Sequence, residues 1–367
     1  MIHGHGGNIY AASAALGCLP GEIADMSSNI NPLGPMPGLL EHLACSIKQI
    51  CRLPEVDARQ ISDKYAAWQD IDSGYVSAGA GTSEFLYLLP RILKSRSAVV
   101  AGPTYADYAD ALAINKTRCH WVLRKNNDYK FMPDFKTLKK AAQNADMVFF
   151  CNPNNPTGEI TDSEKLLFLA RSFSDTVFII DESYMPFAPA PQSLARTGLP
   201  NIIVLQSLSK MYAIPGLRIG FCVSPENITS LIRNHCPPWS VNSLAQEAVR
   251  FITDNCDQAM AHEKSTRQYL STQRDEITRK LSAVPGLYLY PAAATFILMR
   301  AKYFRAGQLA RHMLNHRILI RDCGNFYGMD DHYFRISLKD PETNQKAARL
   351  IKNFAKQKAE AGRGAEN

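Results

Sequence analysis

Three short stretches of this sequence carry side chains able to do chemistry: Asn152-Pro153-Asn154-Asn155-Pro156-Thr157-Gly158, Asp181-Glu182-Ser183-Tyr184 and Ser207-Leu208-Ser209-Lys210. A lysine at the rim of a buried site can have a lowered pKa and act as a nucleophilic amine. An aspartate that ends an apolar run needs a cationic partner, because burying a carboxylate unpaired is expensive. Two hydroxyls beside the lysine, with Arg218 eight residues on, suit a bound phosphate. A lone lysine is ordinarily a surface residue, and an aspartate after a strand is ordinarily a helix cap. Here the company each keeps argues for a site.

Each stretch follows a run that reads as a buried strand: Met147–Cys151, Val177–Asp181 and Ile202–Gln206. Further strands are predicted at Ala98–Ala101 and Leu217–Val223, with helical spacing over Asp134–Asn144 and Asp162–Ser172. Such alternation predicts crossover units and a mostly parallel sheet covered by helices on both faces. Ligands of open α/β sheets bind at the carboxyl ends of strands, so the three polar stretches should converge on one crevice. Residues 45–260 therefore read as one large α/β domain. Beyond Ser243 come long helical stretches, to about Ala283. Strands at Leu287–Tyr290, Phe296–Arg300, Ile318–Arg321 and Tyr333–Ser337 follow, with helices near Arg305–Asn315 and Pro341–Gln357. Residues 261–358, joined by residues 1–44, read as a smaller α+β domain, and 359–367 as a frayed tail.

Composition narrows the classes. The 367 residues are 46% hydrophobic and 20% charged, with 21 Gly and 21 Pro, which excludes a disordered or collagen-like chain. Lys and Arg exceed Asp and Glu by 41 to 34, a modest +7 that suits an anionic ligand. Nine cysteines, an odd number without a C-x-x-C pair, read as reduced thiols, so a cytoplasmic location is expected. No apolar run approaches the roughly 18 residues of a membrane span, and the first basic residue is Lys48, so no secretory signal is expected. The basic run Arg91, Lys94, Arg96 lacks interleaved aromatics and argues against nucleic acid. His312 and His316 have helical metal-ligand spacing but no third ligand, so no metal is expected.

One ligand meets all the demands of the three stretches. Pyridoxal phosphate needs a Schiff-base lysine, a carboxylate at its pyridinium nitrogen and donors on its phosphate. In this order and spacing, N-N-P-T-G, D-E-S-Y and S-L-S-K followed by Arg218 resemble the fold type I aminotransferase superfamily, over nearly the whole chain from His5 to Arg335. Two other features are more selective: His5-Gly6-Gly7-Asn8 followed by Ser28–Gly34, and Arg321-Asp322-Cys323. These resemble the threonine-phosphate decarboxylases of cobalamin biosynthesis, relatives of the histidinol-phosphate aminotransferases.

The resemblance implies a fold type I α/β architecture and a homodimer. It makes Lys210 the Schiff-base lysine and proton carrier, and sets Asp181 on the pyridine nitrogen. Asn155 and Tyr184 fall on the ring's phenolate oxygen, with Tyr108 stacked on the ring face. Gly81, Thr82 and Ser83 at a helix N-terminus, with Ser207, Ser209 and Arg218, would hold the cofactor phosphate. Arg335 falls at the position of the substrate-carboxylate arginine, and His5, Asn31 and Arg321 become candidates for the substrate's own phosphate. The implied reaction is decarboxylation of O-phospho-L-threonine to (R)-1-amino-2-propanol phosphate. Phosphoserine, giving ethanolamine phosphate, differs by one methyl, which a pocket discriminates by only about 1–3 kcal/mol.

Two positions depart from the pattern. Relatives carry Asn between the glycines where this chain has Gly79-Ala80-Gly81, which removes one side-chain contact. Leu53 stands where relatives place a tyrosine that reaches the neighbouring subunit's cofactor phosphate, and leucine cannot make that bond. Two other functions stay open at this point. A histidinol-phosphate or related aminotransferase would need a keto acid such as 2-oxoglutarate. A non-catalytic ligand-binding protein would have little use for intact Lys210, Asp181 and Tyr184.

Overall fold

A computed structural model describes residues 6–127 and 130–365, so His5 lies outside the described residues. The large sheet has seven strands: β1 Val76–Gly79, β2 Ser97–Gly102, β3 Arg118–Leu123, β4 Met147–Cys151, β5 Val177–Asp181, β6 Ile202–Ser207 and β7 Gly220–Val223. Their order is β1-β7-β6-β5-β4-β2-β3. Only β7 runs antiparallel to its neighbours, β1 and β6; the β6-β5-β4-β2-β3 pairs are all parallel. The central strands are nearly continuous apolar runs because helices cover both faces. β4, β5 and β6 are direct neighbours, so the three polar stretches that follow them emerge side by side.

Two strands of the large sheet escaped the sequence reading, each for a physical reason. β1 is built of Val76, Ser77, Ala78 and Gly79, small residues with weak strand preference. β3 begins Arg118-Cys119-His120 and is the exposed edge, so it lacks an apolar signature. The strand expected over Leu217–Val223 starts only at Gly220; a 3₁₀ turn covers Pro215–Leu217, and Arg218 takes a left-handed φ of 54°.

The smaller sheet is antiparallel, with β8 Leu287–Leu289, β9 Phe296–Ala301, β10 Arg321–Asp322 and β11 Tyr333–Ser337 in the order β8-β9-β11-β10. The single strand expected over Ile318–Arg321 divides. Ile318–Leu319 pairs in parallel with Ala24–Asp25, and Arg321–Asp322 pairs with β11. That division draws the N-terminal segment across the molecule: Ser337 N donates to Met26 O at 2.7 Å, and Asn31 N to Lys210 O at 3.0 Å. The helical region after Ser243 is two helices, Ser243–Asp254 and Cys256–Leu281, broken at Asn255, whose amide donates to Phe251 O. The tail expected from residue 359 is instead helical to Ala365. Ile351, Ala355 and Ala359 are all buried at four-residue spacing, so the apolar stripe runs on past Gln357. No helix among the described residues is long and apolar enough to cross a membrane.

Candidate active site

A cavity of about 150 Å³ opens where β4, β5 and β6 end. Gly81, Thr82, Ser83, Ser207, Ser209 and Arg218 form one end of it. Gly81 precedes the helix Thr82–Ile92 with φ +85°, and a Cβ there would stand 2.7 Å from Arg218 Nη2. Glycine is therefore required by conformation, and a Cβ would in addition displace the Arg218 guanidinium. The free N–H groups of the helix start and the Arg218 guanidinium make this end a site for an anion. Among the described residues Arg218 donates only to the Pro215 carbonyl, at 3.4 Å. Ser209 turns its hydroxyl to Ile219 O at 3.0 Å, which braces the turn that carries Arg218.

The other end holds the carboxylate. Asp181 is buried and accepts from Tyr108 Oη at 2.8 Å and from Ser183 N at 2.9 Å. The next residue, Glu182, faces away and binds Leu194 N, Ser193 Oγ and Gln206 Nε2; burial raises its carboxyl to about 7. Cys151 also lines the cavity, its thiol pushed up to about 12 by burial.

Lys210 sits on the single-turn helix Leu208–Met211 that follows β6. Burial is the main cause that lowers its amine to about 8; Arg218 and Arg335 push the same way, while Asp181 and Asp25 oppose. Tyr184 is raised to about 12, again mainly by burial, against the pull of Arg335 and of Asn29, whose amide donates to its hydroxyl at 2.9 Å.

A second cavity, about 230 Å³, shares the wall formed by Tyr105, Asn155, Tyr184 and Lys210. Ser27, Ser28, Asn29, Arg321, Asn325, Phe326 and Arg335 line the rest of it with Gly6 and Ala106. Arg335 is buried; it donates to Asn155 Oδ1 and, at 2.9 Å, to Ser27 O, and lies over the Phe296 ring. Its Nε has no partner among the described residues. Arg321 donates to Asn325 Oδ1 at 2.7 Å and lies 5.0 Å over Phe326. Burial is the main cause that lowers the pKa of both guanidiniums.

Most of the residues singled out in the sequence thus meet around Lys210. Two are placed otherwise. Asn31, a candidate for substrate phosphate, lines neither cavity: its amide donates to Met211 O at 2.7 Å and Thr266 Oγ1 at 2.8 Å, pinning the N-terminal loop. Tyr108, the candidate to stack on the cofactor ring, does line the first cavity with Lys210, but it is fully buried, stacks on Phe149 at 5.3 Å and turns its hydroxyl to Asp181. Tyr105, three residues earlier, holds the wall between the cavities. The sequence reading missed Tyr105, Asn29 and Asp25, whose carboxylate accepts from the backbone and hydroxyls of both Ser27 and Ser28. An aspartate followed at two and three residues by serine is an Asx-turn signal, and could have marked that loop.

The residues fit pyridoxal phosphate. Lys210 has a depressed amine with no hydrogen bond or ion pair among the described residues. Asp181 stands in the same cavity, and the notch at Gly81 leaves room beside Arg218. A mostly parallel seven-stranded sheet with a lysine after β6 and an aspartate ending β5 defines the fold type I pyridoxal-phosphate enzymes. The family model for class I and II aminotransferases matches residues 23–351, and the chain belongs to that family, as a pyridoxal-phosphate-dependent enzyme.

Among its relatives, the threonine-phosphate decarboxylase of Salmonella typhimurium is 32% identical over 355 residues, covering 95% of this chain and 96% of that protein. The adenosylcobalamin biosynthesis bifunctional protein CobDQ of Leptospira interrogans is 31% identical over 359 residues; the match takes in 95% of this chain and 41% of that longer protein. The crystal structure of L-threonine-O-3-phosphate decarboxylase from Porphyromonas gingivalis superposes with a TM-score of 0.81 at 27% identity, covering 90% of this chain and 98% of that one. Histidinol-phosphate aminotransferases are also among the relatives.

Proposed function

We propose that this enzyme decarboxylates a small O-phospho-L-amino acid, O-phospho-L-threonine giving (R)-1-amino-2-propanol phosphate, in cobalamin biosynthesis. The observation that carries the reading is the second cavity: two arginines, Arg335 and Arg321, stand in a small chamber that shares Lys210 with the cofactor cavity. Phosphothreonine has two anionic groups, a carboxylate and a phosphate, to match them. The threonine-phosphate decarboxylase relatives supply the independent support.

When bound, pyridoxal phosphate supplies a ring that accepts the electron pair of the bond broken at Cα. Asp181, itself held by Tyr108 and Ser183, keeps a proton on the ring nitrogen. Lys210, its amine lowered to about 8, would deliver to Cα the proton that takes the place of the departing carbon dioxide. Asn155 and Tyr184 orient the ring from the shared wall, and Tyr105 flanks it. Arg335 would take the substrate carboxylate and Arg321 its phosphate, and these two grips would decide which bond at Cα is presented for cleavage. His5 remains a candidate for the phosphate. A second copy of the chain is the proposed partner: Leu40, Ile47, Ile50 and Leu53 are all exposed along residues 39–56, as on a face that another subunit covers.

The test is to incubate the holoenzyme with phosphothreonine, phosphoserine or histidinol phosphate, with and without 2-oxoglutarate, and to follow carbon dioxide and amine products. Carbon dioxide released from phosphothreonine without a keto acid is the expected outcome. Product formed only with 2-oxoglutarate would establish transamination in its place.

A further inference from the structure

The turn that brings Arg321 to the substrate cavity has little secondary structure of its own. Arg321–Asp322 pairs with β11 over two residues only. Beyond it, residues 323–329 are held from two sides: Cys323 N donates to Tyr333 O of β11 at 2.9 Å and Cys323 and Phe326 pack with Tyr290, Leu298 and Tyr333, while the tip of the turn, Tyr327-Gly328, rests on the edge of the large sheet. Trp121 on β3 stacks on Tyr327, with ring centroids 4.6 Å apart and planes inclined by 18°. Leu123, two residues along and on the same face, packs on Gly328, where φ is +87° and a Cβ would come within 2.7 Å of the leucine Cδ2. The ribbon that follows, Lys125–Asn127 with Lys130–Met132, sends Asn126 to the hydroxyls of Tyr290 and Tyr333 at 3.0 Å each. It also buries Phe131 in one cluster with Cys323 and Phe326. Phe326 lies under the Arg321 guanidinium, and Asn325 accepts its hydrogen bond.

Arg335 differs. It lies within β11, paired with Leu298 of β9 on one side and with Arg321 on the other, and its guanidinium is fixed by Asn155 and Ser27. Nothing at the edge of the large sheet is needed to place it.

We infer that the β3 edge is a positioning device for the phosphate end of the substrate. Through the Trp121–Tyr327 stack and the Leu123–Gly328 contact it sets the turn that carries Arg321 at a fixed distance from Lys210. This rests on the reading above that Arg321 holds the substrate phosphate. Trp121 and Tyr327 touch neither substrate nor cofactor and act only through Arg321. Because the stack joins the large sheet to the smaller domain, its loss frees the phosphate grip while Arg335 and the cofactor cavity stay in place.

The experiment uses holoenzyme carrying Tyr327→Ala, a substitution at a residue 57% exposed and so tolerated by the fold, and in parallel Trp121→Ala and Trp121→Phe. Binding is read from the cofactor absorbance with two ligands. One is 1-amino-2-propanol phosphate, which has a phosphate and no carboxylate; the other is L-threonine, which has a carboxylate and no phosphate. Tyr327→Ala and Trp121→Ala should weaken the first about tenfold or more, the scale on which small misplacements act, and leave L-threonine unchanged. Trp121→Phe, which keeps a ring for Tyr327, should recover most of the loss. Equal weakening of both ligands would mean general loosening and overturn the inference, as would no weakening of either. Arg321→Ala separates the two claims. If it leaves the phosphate ligand unaffected, the phosphate assignment itself falls. If it weakens that ligand and Tyr327→Ala does not, only the positioning role falls.

Discussion

The two cavities that meet at Lys210 are built in different ways. The cofactor cavity is made by loops that leave adjacent parallel strands, and hydrogen-bonded register fixes where each loop starts: Cys151 pairs with Asp181, and Asp181 with Leu205. The substrate cavity is gathered from an N-terminal loop, the buried strand β11 and a turn leaning on the far edge of the large sheet. In the first, a side chain's position follows from the sheet. In the second it follows from how remote segments dock, so it can be lost without unfolding anything. Substitutions in the cofactor cavity should accordingly act on cofactor and on every substrate together, and those in the second cavity on one end of the substrate only.

The largest effect belongs to Lys210. Lys210→Ala should lower turnover by a factor on the order of 10⁴, the upper range for a positioned acid–base group, and abolish the visible absorbance of bound cofactor. Gly81→Ala should act more mildly through the phosphate end. At φ +85° an alanine strains the backbone, which costs about 1–3 kcal/mol, and its methyl, 2.7 Å from Arg218 Nη2, makes the guanidinium shift away from the anion site, so cofactor affinity falls. Equilibrium dialysis of the cofactor measures it. Normal affinity in Gly81→Ala would mean that cofactor binding does not depend on where Arg218 stands, and the rigid half of the comparison would fail.

The same contrast governs how much was legible in the sequence. Lys210, Asp181, Asn155 and Tyr184 stood out because each follows a strand whose apolar run is unmistakable, and neighbouring parallel strands end at one edge. Arg321 and Arg335 were visible as residues, but not their setting. The run Ile318–Arg321 reads as one strand because alternation says nothing about a change of partner at Ile320. Asn31 was misplaced for a related reason: a polar residue in a Pro-rich loop reads as ligand-facing or loop-pinning alike, and only the nearness of Met211 and Thr266 decides. Tyr108 and Tyr105 are three residues apart at the start of one helix. Which of them turns outward depends on Phe149 and Asp181, far away in the chain.

A smaller and more selective effect is expected from Arg321 and Arg335, the two arginines proposed to grip the substrate. A hydrogen bond to a charged group contributes about 1.5–3 kcal/mol, so losing either guanidinium should weaken its ligand roughly ten- to a hundredfold. Arg335→Ala should weaken L-threonine and spare 1-amino-2-propanol phosphate; Arg321→Ala should do the reverse. Cofactor affinity should hold in both. If Arg335→Ala weakens the phosphate ligand instead, the assignments of the two arginines exchange. If it releases cofactor, the cavities are not separable in the way their construction suggests.

The smallest effect probes where the two cavities act on each other. Lys210 is lowered to about 8, first by burial and then by Arg218 in one cavity and Arg335 in the other, with Asp181 opposing. Capture of a free aldehyde requires the neutral amine, so the apoenzyme should react with pyridoxal at a rate that rises with pH through about 8 and then levels. Pyridoxal has no phosphate, so Arg218 enters only through its charge. Removing a cation makes protonation of Lys210 easier and raises its pKa; Arg218→Gln and Arg335→Gln should each move the midpoint upward. Asp181→Asn removes an anion and should move it downward. Because burial is the leading cause, each variant should recover only part of the distance to an ordinary lysine. A wild-type midpoint near that ordinary value would mean that water reaches the amine freely. A shift with Arg218→Gln but none with Arg335→Gln would mean that the substrate cavity, though it shares the lysine, is electrostatically insulated from it.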